Sequence, residues 1–363
     1  MRIKKNIIIS LALGILLSAA ALYLSFRKVP FADLATYLTT INYFWILPSV
    51  FIAIISFVIR TIRWQFILGA AHRVSFWQAF HPMMIGFMLN CILPGRIGEL
   101  ARPAILQKKD NIPFSTGLAT VAAERLFDII LLILLSITVF AFVHIDPALD
   151  ISFGKYHLNR ETLLTIGAGM FKLGAALITG IIIINFSVTR KVVKRLIMAL
   201  PAVFFFMSSD FKNRMQERIC TPLTGFLENF ALGFALIKNP KKVGICIVLS
   251  TIIWSLAALS YYVMALGCPG VRLSYFEITA VMIIICLFIA LPSVPGYWGL
   301  WEAGGVFALS LFGISVKEAL GFTLVNHVIQ IVPVIIVGLV SAMIMGVNVW
   351  QLQKVSSSCN DNT

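Results

Sequence analysis

VGICIVLSTIIWSLAALSYYVMAL, residues 243–266, runs for 24 residues without one charged side chain. Coiled as an α-helix, such a run is about 36 Å long, and the hydrocarbon core of a bilayer is about 30 Å thick. A helix is the one open-ended structure that satisfies its own backbone N–H and C=O groups in lipid. Similar runs recur at roughly 7–25, 45–68, 126–144, 161–186 and 319–347. Hydrophobic residues make up 60% of the chain and charged ones 12%, where a soluble domain carries about 25% charged. Mean hydropathy is +0.95. The chain is therefore expected to be an all-α polytopic membrane protein with about six spanning helices. Residues 1–350 form a single transmembrane domain, and 351–363 form a short polar tail. The first apolar run follows MRIKKN and is longer than the core of a signal peptide, which predicts an uncleaved first helix.

The formal net charge is +14, and its distribution assigns its meaning. Ten Lys and Arg residues lie in 187–242 against Asp210, Glu217 and Glu228. Cytoplasmic loops collect Lys and Arg, so this segment is expected on the cytoplasmic side, with apolar stretches such as 199–207 lying in the headgroup layer. Arg2, Lys4 and Lys5 place the N-terminus there too, and the C-terminus is expected on the same side of a plasma or inner membrane. The charge-balanced 145–160 and the nearly uncharged 267–275 fit the outer face. No nucleic-acid motif accompanies the basic residues. The six cysteines show neither CxxC nor metal-ligand spacing with His, so no disulfide, metal or other cofactor is expected.

Two shorter apolar pieces, 77–93 and 276–292, each stop at a Pro-Gly cluster, and their length fits a re-entrant segment or a tilted crossing. Leu93-Pro94-Gly95-Arg96-Ile97-Gly98 has a counterpart 201 residues on in Val294-Pro295-Gly296-Tyr297-Trp298-Gly299. At offset 202, Ile112 to Leu132 aligns with Ile314 to Val334, pairing Glu124 with Asn326, Arg125 with His327 and Asp128 with Gln330. Upstream, Arg73-Val74-Ser75 matches Arg272-Leu273-Ser274. Three blocks in order at nearly constant offset predict a duplication, with one unit at about 68–144 and the other at about 266–347. The expected spans 126–144, 161–186 and 243–266 separate the starts of the units, which makes the repeat inverted, an architecture that supplies two equivalent gates around one site.

Polar residues inside such a bundle are costly and therefore informative. Arg96, Glu99 and Arg102 follow the first Pro-Gly break at i, i+3, i+6, near one face of a helix. Asn90 precedes them, and Gly95 and Gly98 would let backbone approach a ligand. Free N–H groups at a helix start and the bidentate guanidinium suit a phosphate-bearing headgroup. Glu124 and Asp128 share a helix face, with Arg125 beside them. They read either as a buried charge network or proton carrier, or as a snorkelling cluster at the start of a span. In the second unit Glu302 lies between long apolar segments, with Asn326 and His327 further on. The two breaks, Pro94-Gly95 with Gly98 and Pro295-Gly296 with Gly299, are candidate gates. Arg60, Arg63 and Trp64 read as an interfacial anchor or a headgroup contact, anchoring first. Signatures of a P-loop, a zinc protease, a DxD transferase and a GxSxG hydrolase are absent from the sequence.

These motifs resemble the flippase-like integral membrane proteins related to the transmembrane region of lysylphosphatidylglycerol synthase. The likeness rests on Arg63-Trp64, on Asn90 through Pro94-Gly95-Arg96, Gly98-Glu99 and Arg102, on Ser115 through Glu124-Arg125-Leu126 and Asp128, and on Pro295-Gly296, Gly299 and Glu302. The resemblance implies a lipid-translocating domain, fused in some relatives to a soluble aminoacyltransferase or glycosyltransferase domain. This sequence ends at Thr363, soon after its last apolar span, so translocation or lipid binding is expected rather than synthesis of the charged lipid. The expected function is a flippase for an anionic or polyprenyl-phosphate-linked lipid. Arg96, Arg102 and Arg125 would hold the headgroup, while Glu99, Glu124, Asp128 and Glu302 balance or relay charge. The alternatives are a membrane-embedded lipid-modifying transferase, or a non-transporting subunit that recruits a lipid-modifying enzyme through 187–242.

Overall fold

A computed structural model describes residues 2–27, 29–142, 151–153, 156–158, scattered positions between 165 and 179, 187–203, 208–291 and 293–347. The expected span at 161–186 thus lies largely outside the described residues, as does the tail 351–363.

The described chain is helical apart from a hairpin of two three-residue strands, Ile151–Phe153 with Tyr156–Leu158, which the all-α expectation did not include. The first half comprises α1 (Arg2–Phe26), α2 (Phe31–Thr40), α3 (Ile46–Leu68), α4 (Phe76–Ile92), α5 (Gly98–Asp110) and α6 (Phe114–Phe142). The basic segment holds α7 (Ser187–Val203), α8 (Ser209–Met215), a π turn and α9 (Thr221–Gly233). The second half holds α10 (Pro240–Leu266), α11 (Tyr275–Ile289), α12 (Leu300–Ser310) and α13 (Val316–Met345).

Among the described residues, three helical stretches are long and apolar enough to cross a membrane: Tyr43–Leu68, Pro240–Leu266 and Val316–Met345. They match the expected spans 45–68, 243–266 and 319–347. The first expected span coincides with α1, which bends by 77° into α2, a helix not read from the sequence. The run at 126–144 is continuous with a charged preceding turn in the 29-residue α6. The outer faces carry Leu47, Phe51, Val248, Ile336 and Met343, all exposed and apolar, as contact with lipid tails requires.

Local chemistry explains where these helices begin. Ser75 and Gln78 close a reciprocal capping box at the start of α4, and Ser274 and Glu277 do the same for α11. Asn239 caps α10, whose first residue is Pro240, and Ser315 caps α13. The 15- and 17-residue helices α11 and α4 are each too short for a straight crossing. Each is followed by a short 3-10 turn, Pro94–Arg96 or Pro295–Tyr297, after which the chain doubles back and packs on the helix it has just left. The third residue of each turn is a non-glycine with positive φ, Arg96 at 54° and Tyr297 at 61°.

The same run of elements therefore occurs twice, as α3–α4–turn–α5–α6 and as α10–α11–turn–α12–α13. Packing between the runs is reciprocal. Helix α3 lies along α10, α4 packs on α13 while α11 packs on α6, and α3 touches α13 as α10 touches α6. At the α3–α10 crossing Ser49 and Ser260 bond each other's carbonyls at 2.8 and 3.0 Å, so small hydroxyl residues bring the two backbones close. The basic segment is not wholly superficial: its last helix, α9, docks on α6, with Gly233 against Ala119 and Phe234 buried beside the core around Trp64.

Candidate functional site

The charged residues of the first half converge on α6. Glu124 is fully buried and receives Arg102 Nη2 at 2.6 Å and Arg125 Nη2 at 2.7 Å, with Arg63 Nη2 at 3.7 Å. One turn on, Asp128 receives Arg63 Nη1 at 2.8 Å, Arg60 Nη1 at 3.3 Å and Arg125 Nη1 at 3.5 Å. Ser250 accepts from Arg63 at 2.6 Å, and the Trp254 indole donates to Asp128 at 3.2 Å, so α10 also contributes. The Arg102 guanidinium sits 4.1 Å above the ring of Trp64, whose indole N–H donates to Thr120. Helices α3, α5, α6 and α10 are thereby tied through one buried network.

This arrangement corrects the anchoring expectation and, of the two readings of Glu124 and Asp128, matches the buried charge network. Arg60, Arg63 and Trp64 are not an interfacial anchor: Arg63 and Trp64 are wholly buried, and Arg60 is 9% exposed. The signal in the sequence was present, since two arginines at i, i+3 inside an apolar helix need inward partners. Glu124 and Asp128 do not snorkel either, because both are buried among arginines. Ser250 and Trp254 were missed because nothing in their apolar run distinguishes them from packing residues.

A second correction concerns the segment after the first break. Arg96 does not share a helix face with Glu99 and Arg102. It occupies the 3-10 turn before α5, is exposed, and donates to the Ile289 carbonyl at 3.1 Å, at the C-terminal end of α11 where a cation is favoured. Arg102 points instead into the core. Gly98 is not open to a ligand; it lies against Gly86 and Asn90, and a Cβ there would strike the Gly86 carbonyl. Its role is the close contact of α4 with α5.

What remains accessible is a small face. Arg125 is 30% exposed along its side chain and Glu99 27%, with Arg125 Nε 3.9 Å from Glu99 Oε1. Tyr297 of the second break lies within electrostatic reach of Glu99, of Arg125 and of the exposed Arg96. The first break thus abuts the second, and a Cβ on Gly296 would sit 3.5 Å from the Cys91 carbonyl. Four arginines (Arg60, Arg63, Arg102 and Arg125) meet three carboxylates (Glu99, Glu124 and Asp128), leaving one positive charge in surplus.

In the second half Glu302, Asn326 and His327 are all fully buried. Glu302 accepts the Gly299 N–H at 2.7 Å, and His327 contacts both Glu302 and the Gly296 carbonyl. Gln330, the positional counterpart of Asp128, donates to Ser260 at 2.9 Å. Helix α1 braces this turn through Ser18, whose hydroxyl accepts the Val294 N–H at 3.1 Å. Among the described residues no three His, Cys, Asp or Glu side chains converge as a metal site.

A UPF0104 membrane protein of Pyrococcus horikoshii is 25% identical over 297 residues, covering 79% of this chain and 82% of that one. Another, from Methanothermobacter thermautotrophicus, is 25% identical over 348 residues, covering 93% of each. Glycosyltransferase AglD of Haloferax volcanii is 23% identical over 374 residues, which take in 97% of this chain but 57% of that protein. No solved structure matches the chain. The family described as the lysylphosphatidylglycerol synthase TM region matches residues 11–338, all the elements that build the arginine network and both breaks, and the chain belongs to that family.

Proposed function

We propose that this multi-pass protein moves an anionic or phosphate-linked lipid across the plasma or inner membrane. The carrying observation is the surplus positive charge of the arginine network, buried in an apolar bundle and reaching the surface through Arg125 beside Glu99, with Arg96 exposed on the turn before α5. A phosphate would complete the donors of Arg125 and Arg96 and neutralise the surplus. Arg60, Arg63 and Arg102 serve by holding Glu124 and Asp128, which orient Arg125.

The two matching runs of elements are best read as an inverted repeat, with the Pro94 and Pro295 turns as gates. Equal-hand φ values at Arg96 and Tyr297, paired capping boxes at Ser75 and Ser274, and reciprocal packing of α4 with α13 and α11 with α6 support that reading. The basic residues of 187–242 and both termini face the cytoplasm under the same proposal.

The test is reconstitution in liposomes carrying fluorescent phospholipid or polyprenyl-phosphate analogues. Wild-type protein is expected to carry lipid between leaflets, and Arg125→Ala or Arg96→Ala to abolish it with the fold intact. A wild type that carries none of these lipids overturns the proposal. The likeness to a protein named as a glycosyltransferase favours one second reading, a membrane component of a lipid-modifying system. Chemical change of the added lipid, or capture of a lipid-modifying enzyme by residues 187–242, would support it.

A further inference from the structure

Glu302 and His327 form a second buried ionisable centre that the arginine network does not use. His327 Nδ1 lies 2.6 Å from Glu302 Oε1, and its Nε2 lies 2.8 Å from the Gly296 carbonyl oxygen. Both side chains are fully buried. The imidazole packs against two indoles: Trp301 is parallel to within 2° at 4.5 Å, and Trp298 lies 4.4 Å away, tilted by 48°.

Counting hydrogens fixes the state of this pair. A backbone carbonyl only accepts, so Nε2 carries hydrogen. A neutral imidazole in that tautomer presents a lone pair at Nδ1, and an ionised carboxylate presents only lone pairs. Facing each other at 2.6 Å between two fully buried side chains these repel, so the contact calls for one further proton, on Nδ1 or on Oε1. The other Glu302 oxygen is already occupied by the Gly299 N–H.

The pair consequently holds both ends of the Pro295–Gly299 turn, through Gly296 and through Gly299. Gly296, Tyr297 and Gly299 all have positive φ, so the turn is a conformation that needs such restraint. Its far side meets Cys91 and the face formed by Arg96, Glu99 and Arg125. Removing the shared proton sets two lone pairs against each other and releases the turn at that face. Of the neighbouring elements, α12 supplies Glu302 and Trp301, α10 supplies Tyr261 stacked on Trp301, α11 supplies Cys286 within electrostatic reach of Tyr261, and α1 supplies the non-titrating Ser18 against the turn. Among the described residues Glu302 is the ion-pair partner of His327. Trp298 is 41% exposed and Pro295 is exposed, so the pair lies one ring away from the protein surface.

We propose that the His327–Glu302 pair is a proton-binding site, and that its loading and unloading couples a proton gradient to movement of the lipid headgroup past Arg96 and Arg125. One proton from the aqueous phase adds to the pair and locks the turn, and its loss frees the turn to move; no other bond forms or breaks. The coupling rests on the translocation reading, whereas the proton site itself does not.

Two measurements separate them. In detergent, tryptophan emission of the wild type is expected to change in a pH-dependent step, because a protonated imidazole stacked on indoles quenches them. His327→Gln, which can still donate to the Gly296 carbonyl, and Glu302→Gln, which can still accept from Gly299, should both lose that step. Emission that is flat with pH, or unchanged in both variants, overturns the proton site. In liposomes with the membrane potential clamped, the steady-state lipid ratio between leaflets should shift about tenfold per unit of imposed pH difference for one proton per lipid. An internal pH dye should record matching proton flux. Lipid crossing that ignores the pH gradient and carries no proton overturns the coupling while leaving the flippase standing. Absence of any crossing removes the flippase and the coupling with it, and the emission experiment then decides the proton site alone.

Discussion

Glu124 is held by three arginines at once, and its loss would strand them together in a dry interior. Breaking a buried pair by removing one partner costs about 3–5 kcal/mol, because the remaining charge stays desolvated. Glu124→Gln is therefore expected to lower thermal stability in detergent by about that amount. Arg125→Ala should cost much less, since its side chain is partly exposed and Arg63, Arg102 and Arg60 still neutralise both carboxylates. The two variants thus divide the network: Glu124→Gln should fail in a melting curve, and Arg125→Ala in a transport assay. Equal loss of stability in both would make Arg125 a structural residue. These roles were only partly legible. The residue types and their i, i+3 and i+4 spacing marked Glu124, Arg125 and Asp128, but which arginine each carboxylate meets depends on other helices, 22 positions away for Arg102 with Glu124 and 65 for Arg63 with Asp128.

At the scale of elements, the two helical hairpins depend on glycine in different ways. Gly98 permits close approach of α4 and α5, so Gly98→Ala must push the Gly86 backbone aside. Overpacking of that kind typically costs about 1–3 kcal/mol. Gly299 instead sits at φ 88° with Ser18 against it, so Gly299→Ala adds backbone strain of about 1–3 kcal/mol to a clash with α1. Gly225, inside α9 with open space around it, is the control: alanine there should stabilise by up to about 1 kcal/mol. Melting temperatures of the three variants check this ranking. The sequence marked both Pro-Gly breaks as helix ends. It did not reveal that the first serves helix packing and the second a hydrogen-bonded turn, because that difference lies in what each glycine faces.

For the whole molecule, the proposed inverted repeat makes a directional prediction. Arg73 and Arg272 occupy matching positions just before the capping boxes of α4 and α11, and both are exposed. In a background lacking the native cysteines, Arg73→Cys and Arg272→Cys should react with a membrane-impermeant maleimide from opposite sides. Labelling of both from one side would leave a parallel duplication or none. The same experiment with Cys359 as the sole thiol should label it from the cytoplasmic side. Reciprocal packing of the two runs is a property of the assembled bundle, whereas the offset of about 201 was readable in one dimension.

Composition and apolar run length by themselves determined that this chain is helical and lives in lipid, because an unsatisfied backbone in hydrocarbon leaves few alternatives. Spacing alone also marked the breaks and most of the charged residues, since ionisable groups are rare in such runs and stand out. Only the tertiary structure decided that Arg60 and Arg63 point inward, that Arg96 parts company with Arg102, and that His327 reaches both Glu302 and Gly296. The physical reason is that a buried charge or hydrogen-bonding group is defined by its partner. In this fold those partners come from other helices of the same run, as Arg63 and Arg102 do for Asp128 and Glu124, and from the opposite run, as Ser250 and Trp254 do.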